Sequence, residues 1–232
     1  MVVRIISNII LALGIAAAGF LVGDGIKYFK RFEKTIEVKG LAERIVKSTQ
    51  ASWKIEFAVS GENVAQLNHE VGRIQGEVKK FLLSKGFEEG EIQRHPVSIR
   101  DNMADPYTQK KDLPRYSGRG GLVIGTNKVD LVTRTAEQTD ELLKTGVLLE
   151  QSNINYFFDE LNTIKPEMLQ EATAAAREAA ASFAAHSGSS LGKIKGASQG
   201  LFTISAPFSE FDGVSSFMKK VRVVTQVSYF ID

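Results

Sequence analysis

The chain has 232 residues, 43% hydrophobic and 24% charged, with a net charge of +2. These proportions belong to a globular protein with a sizeable core and exclude wholesale disorder. The near-neutral balance excludes the strong basic excess of a nucleic-acid binder, so no nucleic acid is expected as a partner. The absence of cysteine removes disulfides, thiolate nucleophiles, zinc–cysteine sites and lipoprotein acylation, and it suits an oxidising compartment.

Residues 5–23, IISNIILALGIAAAGFLVG, run without a charge. As a helix at 1.5 Å per residue they would span roughly 28 Å, about one hydrocarbon thickness. That is longer than the apolar core of a cleaved signal peptide, although Ala16-Ala17-Ala18 offers a site that signal peptidase can read. A retained transmembrane anchor within residues 1–34 is therefore expected, with 5–23 contacting lipid. The basic residues Lys27, Lys30, Arg31 and Lys34 follow the span, against Arg4 before it. By the positive-inside rule they argue for a cytoplasmic large domain. Asn8, Ala12, Ala16, Gly19 and Gly23 recur at helical spacing, a small-residue face of the kind that lets helices associate in lipid.

Beyond the anchor, 35–46 begins extended, with Ile36 and Val38 alternating against Glu37 and Lys39. Residues 52–60 form the clearest strand, setting Trp53, Ile55, Phe57 and Val59 on one face. Val64, Leu67, Val71, Ile74, Val78 and Phe81 step by three and four, an amphipathic helix that Gly86 is placed to end. Gly72 and Gly76 lie one turn apart inside it, which either close packing or tolerance of a flexible surface helix would explain. Residues 91–99 and 121–129 read as strands, with 100–120 as a loop carrying Pro106, Pro114 and Gly118. Asp130 is placed to cap a second helix running to about Lys144. A short aromatic strand is expected at 154–161. Pro166 then opens an alanine-rich helix, 167–186, closed by Gly188. Strands at 200–204 and 219–231 complete an order of β-β-α-β-β-α-β-α-β-β. Paired strands between helices favour mixed or antiparallel sheets, an α+β fold.

Candidate chemistry is sparse. Gly188-Ser189-Ser190-Leu191-Gly192 matches the G-x-S-x-G nucleophile pattern, which needs the serine on a turn from strand into helix. Here a helix ends and an extended segment follows, so capping and turn chemistry account for these residues. His186 suits a helix C-terminus, while His69 and His95 match no ligand spacing. Gly118-Arg119-Gly120-Gly121 lacks the lysine and hydroxyl of a phosphate-binding loop and reads as a loop end. Arg94, Arg100, Lys110, Lys111, Arg115 and Arg119 make a basic region, interrupted by Asp101, Asp105 and Asp112. It reads as a solvated loop, with acidic lipid headgroups as a weaker alternative contact. No catalytic, cofactor-binding or metal residue is assigned.

The string IEVKGLAER at 36–44, the strand 53–59, the alanine-rich stretch 172–185, Gly192-Lys193-Ile194 and the closing strand 221–230 together resemble the SIMPL-domain family of bacterial envelope proteins. The likeness covers roughly 35–232 and consists of packing patterns. The resemblance implies export to the periplasm or outer envelope, an association with tolerance of oxidative stress, and ring-like homo-oligomers. It supplies no catalytic residues.

The expected architecture is therefore an anchor and linker, 1–34, followed by a SIMPL-like α+β domain, 35–232. The expected function is non-enzymatic: a single-pass inner-membrane protein whose periplasmic domain assembles with itself as a scaffold linked to stress tolerance. A serine hydrolase using Ser190 and a monomeric binding module for an envelope partner are the alternatives.

Overall fold

The computed structural model describes residues 13–23, 25, 34–104, 114–209 and 213–232. The chain divides into two units: a middle unit, Ile45–Thr163 with Ile204–Val221, and an end unit, Met1–Arg44 with Ile164–Thr203 and Arg222–Asp232.

The middle unit is built on β2 (Gln50–Gly61), whose alternation puts Trp53, Ile55 and Phe57 fully inside. β2 lies between β4 (Tyr116–Thr126) and β5 (Leu149–Phe157), and β3 (Ile92–Asp101) extends the sheet beyond β4; all three pairings are antiparallel. Trp53 stands opposite Ile124 on one side and Ile154 on the other. Its indole N–H donates to the Ser152 hydroxyl at 2.9 Å, so burial leaves no orphan donor.

α1 (Val64–Ser84) buries Leu67, Val71, Ile74, Val78 and Leu82 in the same core. Asn63 caps it, its side-chain oxygen accepting from the Ala65 N–H at 2.8 Å. Gly86 follows at φ 103°, the left-handed position expected of a helix-ending glycine.

The second helix is shorter than its apolar pattern suggests. α2 spans Val129–Ala136, and a 3-10 helix, Thr139–Thr145, continues to Gly146 at φ 76°. The Thr139 hydroxyl donates to the Ala136 carbonyl at 2.9 Å, so a side chain takes an acceptor at the end of α2. Lys128, not Asp130, occupies the N-cap; Asp130 sits in the first turn, where a carboxylate still suits the helix dipole.

β8 (Met218–Ile231) lies between β1 (Thr35–Lys47) and β6 (Leu191–Gln199), chiefly in the end unit, and β7 (Thr203–Ser205) also pairs with β8. The Ile231 N–H donates to the Lys34 carbonyl at 3.0 Å while Glu43 lies 3.4 Å from Arg222, so β1 and β8 run antiparallel. β6 is a strand that the sequence pattern did not resolve; its residues are mostly exposed and show no alternation.

α3 (Leu161–His186) begins six residues earlier than expected and carries Pro166 in its second turn. It buries Met168, Ala172, Ala176, Ala180 and Ala184, one per turn, and Ala176 and Ala180 pack among Val38, Val227 and Tyr229. The contact is close because a Cβ on Gly40 would fall 1.9 Å from the Ala172 carbonyl oxygen.

Residues 13–23 are helical, with Leu13, Ile15, Phe20, Leu21 and Val22 each 61–74% exposed. Among the described residues no helix is long and apolar enough to cross a membrane. Residues 5–12 of the expected span lie outside the described residues.

Candidate functional site

The Ser190 turn, His186, His95 and the glycine cluster each have a structural occupation. Ser190 lies just past the end of α3, where its N–H and carbonyl exchange 3.1 Å hydrogen bonds with Asp232. The preceding turn is a helix cap: Gly188 is left-handed at φ 66°, the Ser189 N–H reaches the Ala184 carbonyl at 2.9 Å, and the Gly188 N–H reaches Ala185 at 3.3 Å. The chain thus passes from helix to strand, the reverse of a nucleophile elbow. His186 Nδ1 lies 2.7 Å from the Ser182 carbonyl, one turn back in its own helix. His95 Nδ1 is 3.1 Å from the Pro96 carbonyl, and His69 is exposed on α1.

The glycine cluster is not a loop end. Gly118, Gly120 and Gly121 lie buried inside β4. A Cβ on Gly118 would meet Leu67 at 2.6 Å, one on Gly120 would meet Phe57 at 2.9 Å, and one on Gly121 would meet the Ile55 carbonyl at 2.4 Å. Gly118 and Gly120 are bare so that α1 can lie on the sheet, whereas Gly121 is bare because the β2 backbone comes close. In the basic region, Arg115 pairs with Asp101 at 3.3 Å, and Arg119 forks onto Glu150 at 2.7 and 3.0 Å. Asp105, Lys110, Lys111 and Asp112 lie outside the described residues.

Each unit carries an open groove. In the middle unit, about 640 Å³ lies around the β1–β2 turn and the start of α2, where Lys47 pairs with Asp130 at 2.5 Å beside Ser48, Asn127, Arg134 and Glu160. Lys128, at its rim, is held by Glu88 at 2.7 Å and by Glu91 at 3.2 Å. Glu91 also accepts from the Thr126 hydroxyl at 2.6 Å, which ties the strand end to the preceding 3-10 turn. In the end unit, about 570 Å³ lies between Glu37, Val38 and Lys39 of β1 and Ala179 and Phe183 of α3, with Phe183 63% exposed. Arg44, further along β1, forks onto Glu167 at 2.8 Å and Glu171 at 2.5 Å of α3. These two carboxylates raise the guanidinium pKa above its ordinary value, Glu167 contributing most. Among the described residues no group of three or more histidines and carboxylates is placed to hold a metal.

Sequence reasoning missed the surface that the fold leaves open, the outer side of β1. Its signal was present in IEVKGLAER, where Glu37, Lys39, Leu41 and Glu43 alternate with the buried Val38, Gly40 and Ala42.

No curated protein matches the chain. The family model described as SIMPL, protein of unknown function (DUF541), matches residues 36–226. That match runs from the second residue of β1 into β8 and takes in every strand and helix between them, so the chain belongs to the SIMPL family.

Proposed function

We propose that this protein is a non-enzymatic scaffold of the bacterial envelope, held in the inner membrane by residues 5–23 and assembling with itself through its periplasmic part. The observation that carries the reading is the helix at 13–23. It presents five large apolar side chains to solvent, a surface that a soluble monomer does not maintain and that lipid covers. Gly19 and Gly23 on that helix meet nothing within 4 Å where a Cβ would stand, which leaves their backbone open to a neighbouring helix. Ser190 and His186 sit in a helix-to-strand turn rather than a nucleophile elbow, which is consistent with a structural role, and a role in stress tolerance rests on the family resemblance. Native mass measurement of the full-length protein in mild detergent, over a concentration series, tests the reading. A species larger than one chain is expected. A monomer throughout would instead favour a binding module for another envelope protein.

A further inference from the structure

We infer that the outer edge of β1 is a self-pairing surface, on which a second copy of this chain adds its own β1 in antiparallel register centred on Leu41. The inference rests on the self-assembly proposed above and names the surface responsible for it.

Five strands lie at edges of the two sheets; β7 is only three residues long, and three of the other four are blunted. β3 contains Pro96, and its register against β4 shifts between His95 and Ser98. β6 is irregular against β8 twice, between Leu191 and Ile194 and between Ile194 and Gly196. On β5, the Tyr156 N–H is taken by the Val214 carbonyl at 2.8 Å. Proline, bulges and loop cover are the usual means of closing an edge to other chains. Among the described residues β1 has neither proline nor loop cover. It runs for 13 residues without proline, and among the described residues no strand lies beyond it.

The alternation of a strand fixes which groups the edge offers. The Lys34 carbonyl faces β8, so even-numbered residues of β1 pair inward, and Glu37, Lys39, Leu41 and Glu43 turn their N–H and C=O groups outward. The side chains of these four residues are exposed, Leu41 by 45%. In antiparallel self-pairing, outward residues oppose outward residues, and charge together with the length paired selects among the registers. Those centred on Val38 or Ile45 set Glu37 against Lys39 or Glu43 against Lys47 but leave much of β1 unpaired, whereas centring on Leu41 pairs Thr35–Lys47 throughout. A register centred on Lys39 or on Glu43 sets each against its own copy. One centred on Gly40 sets Glu37 against Glu43, and one centred on Ala42 sets Leu41 against Glu43. Centring on Leu41 places leucine against leucine and Lys39 against Glu43 on both sides of the two-fold axis, with Gly40 opposite Ala42. Lys39 has no ionic partner among the described residues, and Glu43 has only an exposed contact to Arg222 at 3.4 Å. The exposed Phe183 beside this edge gives an added strand apolar surface to cover.

The native chain lacks cysteine, so single-cysteine variants of the full-length protein in mild detergent report the register directly. Directly opposed residues in a hydrogen-bonded antiparallel pair have Cα atoms about 5.5 Å apart, within disulfide reach. Leu41→Cys should therefore oxidise to a covalent dimer. Thr35→Cys should not, because its two copies would stand about 40 Å apart along the strands. Lys39→Glu and Glu43→Lys should each weaken association about tenfold or more, since each turns two opposite-charge pairs into like-charge pairs. The double variant restores both pairs and should return association to near the parent value. Thermal unfolding checks that each variant is folded. If the parent self-associates but Leu41→Cys does not link and the double variant is no better than the singles, β1 is not the interface and the inference is overturned while self-assembly stands. A parent that stays monomeric overturns both.

Discussion

Three positions carry tests of how tightly the fold is specified. Gly40 is the sharpest, because the nearest atoms to an added Cβ are the Ala172 carbonyl oxygen at 1.9 Å and the Ala176 nitrogen at 2.5 Å, both backbone. Backbone cannot rotate away, so Gly40→Ala must displace α3 and should cost about 1–3 kcal/mol in denaturant unfolding. Gly196→Ala, where nothing lies within 4 Å, should cost far less. Thr225 presents the opposite case: its hydroxyl is buried with no hydrogen-bond partner among the described residues. Thr225→Val keeps the shape and removes the unpaired group, and should stabilise by about 1 kcal/mol in the same assay. Glu91 carries a pH dependence. Burial pushes its carboxyl up, but hydrogen bonds from the Glu88 N–H, the Thr126 hydroxyl and Lys128 outweigh this and hold it below the ordinary 4.5. A lowered folded value means that the contribution is full above the ordinary value and lost as pH falls through the folded one. Stability of the parent relative to Glu91→Gln should therefore shrink as pH is lowered from about 6 to about 3. A gap that stays constant over that range would exclude the carboxylate as its source.

At the scale of elements, α1 separates the features that periodicity conveys from those it hides. Its buried stripe and its terminal glycine were legible because both arise from 3.6-residue geometry and local backbone conformation. The glycines inside it were not. Gly72 and Gly76 could be read as close-packing positions, yet nothing lies within 4 Å of either where a Cβ would stand. Gly76→Ala should then stabilise α1 by about 0.5–1 kcal/mol, read from the denaturation midpoint at unchanged slope. The close packing is in β4 instead, where Gly118, Gly120 and Gly121 make a buried strand look like a loop, because glycine is both a turn residue and the residue that lets a helix or a neighbouring strand come close. β6 was hidden for another reason: a strand exposed along most of its length has no buried face to impose alternation. The break between α2 and the 3-10 helix depends on one threonine hydroxyl competing for a backbone carbonyl, a choice that hydrophobic pattern does not encode. The candidate surface was legible only in part. The alternation of IEVKGLAER indicated a strand with one wet face, but the openness of its edge is set by sheet order, which depends on pairing between distant segments.

For the whole molecule, the opposing influences are the apolar segment and the charges immediately after it. The helix at 13–23 exposes apolar side chains as a lipid-seated segment does. Lys27, Lys30, Arg31 and Lys34 come directly after that segment, and a basic cluster there resists translocation of the downstream chain. If residues 5–23 anchor the chain with its body in the periplasm, export proceeds against this cluster, and the cluster should reduce its efficiency. A reporter enzyme active only outside the cytoplasm, fused after Asp232, should therefore be active with the parent sequence. Replacing Lys27, Lys30, Arg31 and Lys34 with glutamine should raise that activity at equal protein level, because the opposing charge is gone while the apolar segment is intact. The membrane fraction should retain both proteins after an alkaline wash. An inactive reporter on the parent that becomes active in the glutamine variant would show that the basic cluster governs insertion, placing the native folded body in the cytoplasm. Inactivity in both, with protein recovered in the soluble fraction, would mean that residues 5–23 do not anchor the chain.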